Sequence, residues 1–307
     1  MARRRARRQP GRSFLLLLFA GALVAAGYYL GLRAEHVDAA PVRSEPARAA
    51  VNRTLAAKRA PAARPARVDP PAVAEAAAPM PAANVRIAIV IDDLGRSTAE
   101  VDRLLALGVP LTYAVLPWES RTAEVLARLR GAGVEILCHL PMEASGGQNP
   151  GPNAILEKLP PERIGVLTRA ALDALPGATG MNNHMGSAIT SDPVAMNAVL
   201  AAVAERHLFF LDSRTTKESV AFTLARQLSI PAASRDVFLD EAPSEAEVEA
   251  AFDQFLALAK EKGSAIAIGH PHDETLRVLE RRIPFAKAAG YEFVPVSFLL
   301  ERDGSEE

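Results

Sequence analysis

The sequence predicts an α/β fold, a (β/α) barrel with parallel strands, that begins near residue 85. Short runs of Ile, Val, Leu and Ala alternate with segments of helical periodicity throughout this part of the chain. Such runs are typical of strands that are buried on both faces of a parallel sheet. Seven or eight strand–helix units in about 220 residues favour a barrel, complete or incomplete, over an open sheet. No glycine-rich phosphate loop follows the first strand, which argues against a nucleotide site.

Each element has a local signal. The first strand, Ile87–Ile91, is rich in β-branched residues, and the long helix after Ser244 opens with glutamates, as a helix N-terminus should. We predict strands at residues 87–91, 111–116, 135–139, 180–183, 208–212, 235–239, 265–269 and 292–296. We predict helices at residues 98–107, 120–131, 161–174, 193–206, 217–228, 244–262 and 274–289.

The amino-terminal region predicts membrane targeting. Residues 1–13 form a basic segment without acids, and residues 14–32 are uncharged and long enough to cross a bilayer as a transmembrane helix. The arginines favour a cytoplasmic amino terminus and a signal anchor. The alternative is a signal peptide that is cut after Ala26. Both interpretations place the barrel in the periplasm, or otherwise outside the cytoplasmic membrane, so the protein is expected to contact the membrane through this segment.

Composition limits the other classes of protein. Residues 33–84 are mostly Ala, Pro and Arg with almost no large apolar residues, which predicts a disordered linker. The formal net charge of −1 argues against a nucleic-acid partner for the barrel. The one cysteine, Cys138, excludes an internal disulfide framework and a cysteine zinc cluster.

Polar side chains stand at the carboxyl ends of the predicted strands, where such barrels carry their functional residues. These residues are Asp92, Asp93, His139, Glu143, Asn182, Asn183, His184, Asp212, His270 and His272, and Arg235 flanks the short strand predicted at 235–239. Two adjacent carboxylates at the end of a buried strand favour a nearby cation, because it offsets their desolvation and repulsion. The alternative is an aspartate that only leads into the next helix, whose capping box is Ser97–Glu100. We interpret His207, which precedes a strand, as surface or core.

Aspartate and histidine at one rim suit zinc or a similar divalent cation. Such an ion generates hydroxide near neutral pH and polarises a carbonyl group. A further carboxylate can act as a base and a further histidine as an acid. The residues alone therefore predict metal-assisted hydrolysis.

Five ordered motifs resemble the divergent polysaccharide deacetylase family, a branch of the polysaccharide deacetylase superfamily. They are the Asp-Asp strand end, His-Leu-Pro-Met-Glu, Asn-Asn-His-Met-Gly-Ser, Leu-Asp-Ser-Arg-Thr and Ile-Gly-His-Pro-His. The resemblance covers residues 85–302 and implies a distorted (β/α) barrel of about seven strands. It also implies hydrolysis of N-acetyl groups on an envelope glycan.

The resemblance implies roles for individual residues. Asp92 would be the catalytic base and His270 the acid, with His272 as an alternative acid. Asp93 and His139 would hold a divalent metal, which we predict to be zinc. The second histidine of the superfamily motif is Glu143 here, so either Glu143 or His184 would complete the metal site. We take His184 as the third ligand.

We predict substrate contacts for five residues, namely Glu143, Asn183, Asp212, Arg235 and His272. Two of them have structural alternatives, because Asp212 could hold the loop that follows it and Arg235 could pair with Asp236. The superfamily's Arg-x-Pro-Tyr motif is absent, and Asn182, Asn183 and His184 stand in its place. The alternative function is a catalytically inactive barrel that binds a glycan or an envelope protein, which the loss of the second histidine favours.

Overall fold

The computed structural model describes residues 85–242 and 244–300. The predictions for residues 1–13, 14–32 and 33–84 therefore lie outside the described residues. Within the described ranges, no helix combines the length and the apolar character that crossing a bilayer requires.

The described residues form a regular alternation of strands and helices. The strands are β1 (Arg86–Leu94), β2 (Thr112–Val115), β3 (Glu135–Met142), β4 (Gly180–Met185), β5 (Phe209–Asp212), β6 (Ala232–Ser234), β7 (Val237–Phe238), β8 (Ser264–Gly269) and β9 (Glu292–Phe293). The α-helices are α1 (Thr98–Ala106), α2 (Thr122–Ala132), α3 (Pro161–Ala174), α4 (Pro193–Glu205), α5 (Ala221–Gln227), α6 (Glu245–Lys262) and α7 (Asp273–Ala288). Short 3₁₀ helices cover Ile189–Ser191 and Val296–Leu299.

All strand pairs in the described sheet are parallel, in the order β6-β5-β4-β3-β2-β1-β8-β7, and β9 also pairs with β1. The two end strands belong to one continuous segment. Arg235 N–H donates to the carbonyl of Asp212, the last residue of β5. The next residue, Asp236, instead donates its N–H to the carbonyl of Ile266 in β8. The segment thus changes partner between these two residues and links both ends of the sheet. The predicted parallel α/β class is confirmed, as a half-barrel that is consistent with the predicted barrel and has more strands than predicted.

Side chains alternate between two apolar cores. Ala88 and Val90 of β1 belong to a small cluster to which alternate residues of β2, β3, β5, β6 and β8 also contribute, so this cluster is the barrel interior. Ile87, Ile89 and Ile91 belong to the large core between the sheet and the helices. Because strand side chains alternate with a period of two, the parity of a residue decides whether its side chain faces the interior.

Several element boundaries differ from the predictions; strands β1 and β3, for example, run three residues beyond their predicted ends, to Leu94 and Met142. Three further differences have an identifiable cause. Helix α5 begins at Ala221 and not near residue 217, because Ser219 Oγ donates to Asp212 Oδ2 at 2.7 Å and holds the preceding stretch as a loop. The predicted strand 235–239 is divided where the segment changes partner. The last predicted strand ends at Phe293, since Pro295 leads into the 3₁₀ helix.

Candidate metal centre and active site

Three of the predicted residues converge at the carboxyl rim of the barrel. Asp93 Oδ1 lies 2.7 Å from His184 Nδ1 and 3.2 Å from His139 Nε2. The two imidazole nitrogens are 3.2 Å apart. These atoms come from β1, β3 and β4, so only folding brings them together. Each residue offers one metal-ligand atom to the same small space.

The chemistry of this group fits a divalent cation. Asp93 Oδ1 is buried and, within the described part of the chain, forms no hydrogen bond, since its short contacts with the two imidazoles lack hydrogen-bond geometry. A buried carboxylate oxygen without a partner costs free energy. One carboxylate and two imidazoles are ligands that zinc accepts in catalytic sites, where a further position stays open. A cation held by these three atoms would therefore satisfy the unpaired oxygen.

The backbone of Asp93 makes this convergence possible. Residue Asp92 shares the parity of Ala88 and Val90, so alternation alone would turn Asp93 away from the interior. Asp93 instead has a φ of 59°, in the left-handed region, and the β1–β2 register shifts between Ile91 and Leu94. This conformation is unfavourable for a non-glycine residue and is often found at functional sites. It places both adjacent carboxylates at the same rim.

The buried amide of Asn182 lies between Asp92 and His139. Asp93, His139 and His184 together are called the metal group, because their ligand atoms could hold one cation. The β3–β4 register places His139 opposite Asn182, and His139 Nδ1 is 2.8 Å from Asn182 Oδ1. Asn182 Nδ2 donates to Asp92 Oδ1 at 2.8 Å and to Ser213 Oγ at 3.2 Å. Because an amide oxygen only accepts, the imidazole donates from Nδ1 and its Nε2 lone pair faces the metal group. Asn182 was predicted only as a polar residue at the rim, and Ser213 was not among the predicted site residues.

The two adjacent carboxylates differ in their environment. Burial raises the pKa of Asp92 above its ordinary value, although the charges of His139 and His270 oppose this effect. Burial acts in the same direction on Asp93, but there the imidazoles of His139 and His184 outweigh it and lower the pKa. Neighbouring acids whose pKa values are pushed apart are suited to different roles. Asp93 is suited to remain an anionic ligand, and Asp92 to accept a proton.

His270 lies at the end of β8 and is held by Asp240. Its backbone N–H donates to Asp240 Oδ2 at 2.6 Å, and its Nδ1 lies 3.0 Å from Asp240 Oδ1. Thr275 Oγ1 also donates to Asp240 Oδ2, at 2.7 Å. Burial opposes the charged imidazole, but the hydrogen bond and charge of Asp240, with the charge of Asp92, raise the pKa of His270 to about 9. His270 is therefore a protonated acid at neutral pH. The position of Asp240 after a short strand was its only signal in the sequence.

Asp240, His270 and His272 form a second group with ligand atoms close together. Its bonding suits a proton better than a metal ion. The Asp240–His270 contact is a formed hydrogen bond, and the other carboxylate oxygen is occupied by two donors. His272 caps the N-terminus of α7, where the helix dipole disfavours a cation. Of these two groups, Asp93, His139 and His184 therefore have the bonding that better fits a divalent cation.

The remaining predicted contacts lie around this centre. Among the described residues, Glu143 is not part of the metal group; its Oε2 accepts a hydrogen bond from Glu157 N–H at 2.7 Å. His272 is exposed, and its ring stacks on that of His270 with centroids 5.6 Å apart. A substrate role for both residues stays a prediction.

Three other predicted contacts bond mainly to loops. Asn183 is buried, accepts from Ser213 N–H at 2.9 Å and donates to Met185 O at 2.8 Å. The buried Asp212 accepts from Arg214 N–H at 2.8 Å, the loop-holding arrangement considered as its alternative. Arg235 donates from Nε to Ser213 O at 2.6 Å and from Nη2 to Arg214 O at 2.8 Å. Their substrate roles stay predictions, and these bonds give all three a structural function at the rim.

The sequence matches the family described as divergent polysaccharide deacetylase over residues 89–300. The chain belongs to this family. A protein of Escherichia coli K12 named uncharacterized protein YibQ is 36% identical over 198 residues, which cover 64% of this chain and 62% of that protein. An uncharacterized protein of Haemophilus influenzae is 36% identical over 205 residues, covering 64% of this chain and 71% of that one. The aligned region thus spans less than two thirds of the length of the E. coli relative.

A solved structure supports the same fold. The protein ATU2773 of Agrobacterium tumefaciens C58 superposes with a TM-score of 0.64 at 27% identity, covering 70% of this chain and 88% of that chain. These three relatives have names that state no activity. The family membership confirms the resemblance that the sequence motifs indicated, and the fold is that of the polysaccharide deacetylase superfamily.

Proposed function

We propose that the divergent deacetylase domain is a divalent-metal-dependent hydrolase that removes acetyl groups from the nitrogen atoms of an envelope glycan. One observation carries the proposal: Asp93, His139 and His184 converge around an unpaired carboxylate oxygen, with Asp92 and His270 beside them. The family's name supports the class of substrate. Zinc is the proposed ion, because one carboxylate and two imidazoles match its ligand preferences.

The residues divide the reaction between them. A bound divalent ion supplies Lewis-acid polarisation of the acetyl carbonyl and a more acidic water. Asp92 accepts a proton from the water whose oxygen bonds to the acetyl carbon. His270 donates its proton to the amide nitrogen as the carbon–nitrogen bond breaks, which releases acetate and leaves a free amine on the sugar. The raised pKa of Asp92 makes it a stronger base, and that of His270 keeps the acid protonated.

The geometry weakens the case for an inactive binding barrel. That alternative rests on Glu143, which stands where the superfamily has its second histidine. His184 supplies a third ligand atom from the neighbouring strand, only 2.7 Å from Asp93 Oδ1. The replacement at Glu143 therefore leaves a complete ligand group.

The test is an assay of acetate release from N-acetylated envelope glycan, with the full-length protein in its metal-free and zinc-loaded forms. We expect release only from the zinc-loaded protein, and free amines on the product in equal amount. A zinc-loaded protein that binds the glycan without releasing acetate would support the binding-barrel alternative in place of the hydrolase.

We propose that the protein is anchored in the cytoplasmic membrane through residues 14–32, with the barrel in the periplasm, because the arginines of residues 1–13 favour a cytoplasmic amino terminus. We expect it in the membrane fraction, and a carboxyl-terminal fusion to a reporter active only in the periplasm should be active. Activity of a reporter that works only in the cytoplasm would contradict this orientation.

The Asp240–His270 pair predicts the alkaline limit of activity. Since the acid must be protonated, activity should decline as the pH rises through about 9, the pKa of His270. Asp240→Asn removes the charge that raises this pKa, while burial continues to lower it, so the limit should move to lower pH. The measurement is the pH profile of kcat for both proteins with saturating zinc. An unchanged limit in Asp240→Asn would show that another group sets it.

The same shift predicts a change in stability with pH. The folded-state pKa of His270 is raised above the unfolded value of 6.5, so its contribution is fully present below that pH and is lost as the pH rises through about 9. Asp240→Asn should therefore be less stable than the wild type at pH 6, and the difference should shrink by pH 10. Urea unfolding at the two pH values measures it.

A further inference from the structure

We propose that Asn182 is the positioning residue that couples the metal group to the catalytic base. Its single amide fixes which nitrogen of His139 carries the proton and, through its other end, fixes the orientation of the Asp92 carboxylate. The inference rests on the proposed function and extends it to a residue that is not itself one of the three metal-ligand residues.

The bonding of the amide carries the argument. Its oxygen lies 2.8 Å from His139 Nδ1, and its nitrogen donates to Asp92 Oδ1 at 2.8 Å. The nitrogen also donates to Ser213 Oγ at 3.2 Å, which holds the amide from the loop that follows β5. Asn182, His139 and Asp92 are all buried, so water cannot readily replace a lost bond. The two ends of one rigid group therefore set the positions of two functional side chains.

An amide is the group that can perform both tasks. The contact with His139 needs an acceptor, because an imidazole that donates from Nδ1 leaves its Nε2 lone pair free for a metal. The contact with Asp92 needs a donor, because an ionised carboxylate only accepts. An ionised aspartate offers only the first, an arginine only the second, and a leucine neither. The register that places His139 opposite Asn182 provides the short distance.

The neighbouring asparagine gives a matched control. Asn183 is also buried, but its side chain points to the opposite face of β4. Among the described residues its amide bonds to backbone groups alone, the N–H of Ser213 and the carbonyl of Met185. A purely structural effect of changing a buried amide should therefore occur at both positions. An effect on the metal group should occur only at Asn182.

The experiment compares Asn182→Leu, Asn182→Asp and Asn183→Asp in the full-length protein. The zinc dissociation constant is measured by competition with a chelator, and kcat and KM by acetate release with saturating zinc. Melting curves without metal identify any variant that does not fold. Asn182→Asp is close in shape to the native residue and keeps the test valid if the leucine variant is unfolded.

We expect Asn182→Leu to weaken zinc binding about 10–100-fold, the usual cost of losing a bond to a ligating histidine. Asn182→Asp keeps an acceptor for His139 and should bind zinc at least as tightly as the wild type. When ionised it lacks the donor and repels the Asp92 carboxylate, and when protonated it shares its proton with Asp92, so in both forms Asp92 is disturbed as the base. We therefore expect kcat to fall about 100-fold with little change in KM. Asn183→Asp should keep the wild-type zinc affinity even where its melting temperature falls.

The order of zinc affinities decides the inference independently of turnover. The inference would be overturned if a folded Asn182→Leu bound zinc as tightly as the wild type. It would also be overturned if Asn182→Asp and Asn183→Asp both bound zinc more weakly than the wild type, and by the same factor. Wild-type kcat in Asn182→Asp would overturn the part that concerns Asp92. A wild type that binds zinc tightly but releases no acetate would contradict the proposed function, and the affinities would still test the role of Asn182.

Discussion

Asp92→Asn should lose about 10²–10⁴-fold in kcat while it keeps its zinc, because removal of a general base costs roughly this factor. The substitution preserves shape, and the new amide oxygen can still accept the hydrogen bond that Asn182 Nδ2 now donates to Oδ1 at 2.8 Å. What it removes is the ability to accept a proton from water. The metal group does not include Asp92, so the zinc dissociation constant should change little.

Acetate release and metal content of the purified variant provide the measurement. The control is Asp173→Asn, which changes an exposed carboxylate on α3 that pairs with Arg206 away from the rim. It should keep the wild-type kcat. If Asp92→Asn retains zinc and most of its activity, Asp92 is excluded as the base. If the variant loses its zinc, Asp92 also supports the metal group.

His184→Ala should abolish most of the zinc-induced rise in melting temperature. A ligand at 100 times its dissociation constant stabilises the folded state by about 2.7 kcal/mol, which corresponds to roughly 5–10 °C for a domain of this size. Removal of one of three ligand atoms weakens binding enough to lose most of this rise. His184 is preferred to the fully buried His139 for this test, because its side chain is 12% exposed and its truncation perturbs the core less.

Thermal melts with and without zinc, at pH 7.5 and at pH 5.5, provide the measurement. The wild-type rise should shrink at the lower pH, since protonated imidazoles cannot bind a metal. His207→Asn is the control: His207 is exposed, has a φ of 55° that Asn tolerates, and should show the full rise. A full rise in His184→Ala would place the metal elsewhere, and no rise in the wild type would remove the support for a metal-dependent hydrolase.

The strands and helices that depend on short stretches of sequence were predicted well. The first strand and its two terminal acids were found because a run of β-branched residues and a change to charged residues lie within ten positions. The errors occurred where a long-range bond sets the boundary. Helix α5 begins late because Asp212 holds Ser219, and the segment around Arg235 is divided because it changes partner strand. Neither bond leaves a periodic signal in the chain.

The residue types at the carboxyl ends of the strands could be read from the sequence, because strand ends follow from local apolar runs. Which of these side chains meet depends on the three-dimensional fold. Parity turns Asn182 toward the interior and Asn183 away from it, and a left-handed backbone returns Asp93 to the rim against that alternation.

The partner of His270 was likewise decided by the fold. Asp240 lies 30 positions away in the chain, and only the pairing of β7 with β8 brings the two together. The face that becomes the barrel interior is set by closure of the sheet, which depends on the register of every strand at once. Local sequence therefore specified the elements and their chemistry, and long-range pairing selected the site.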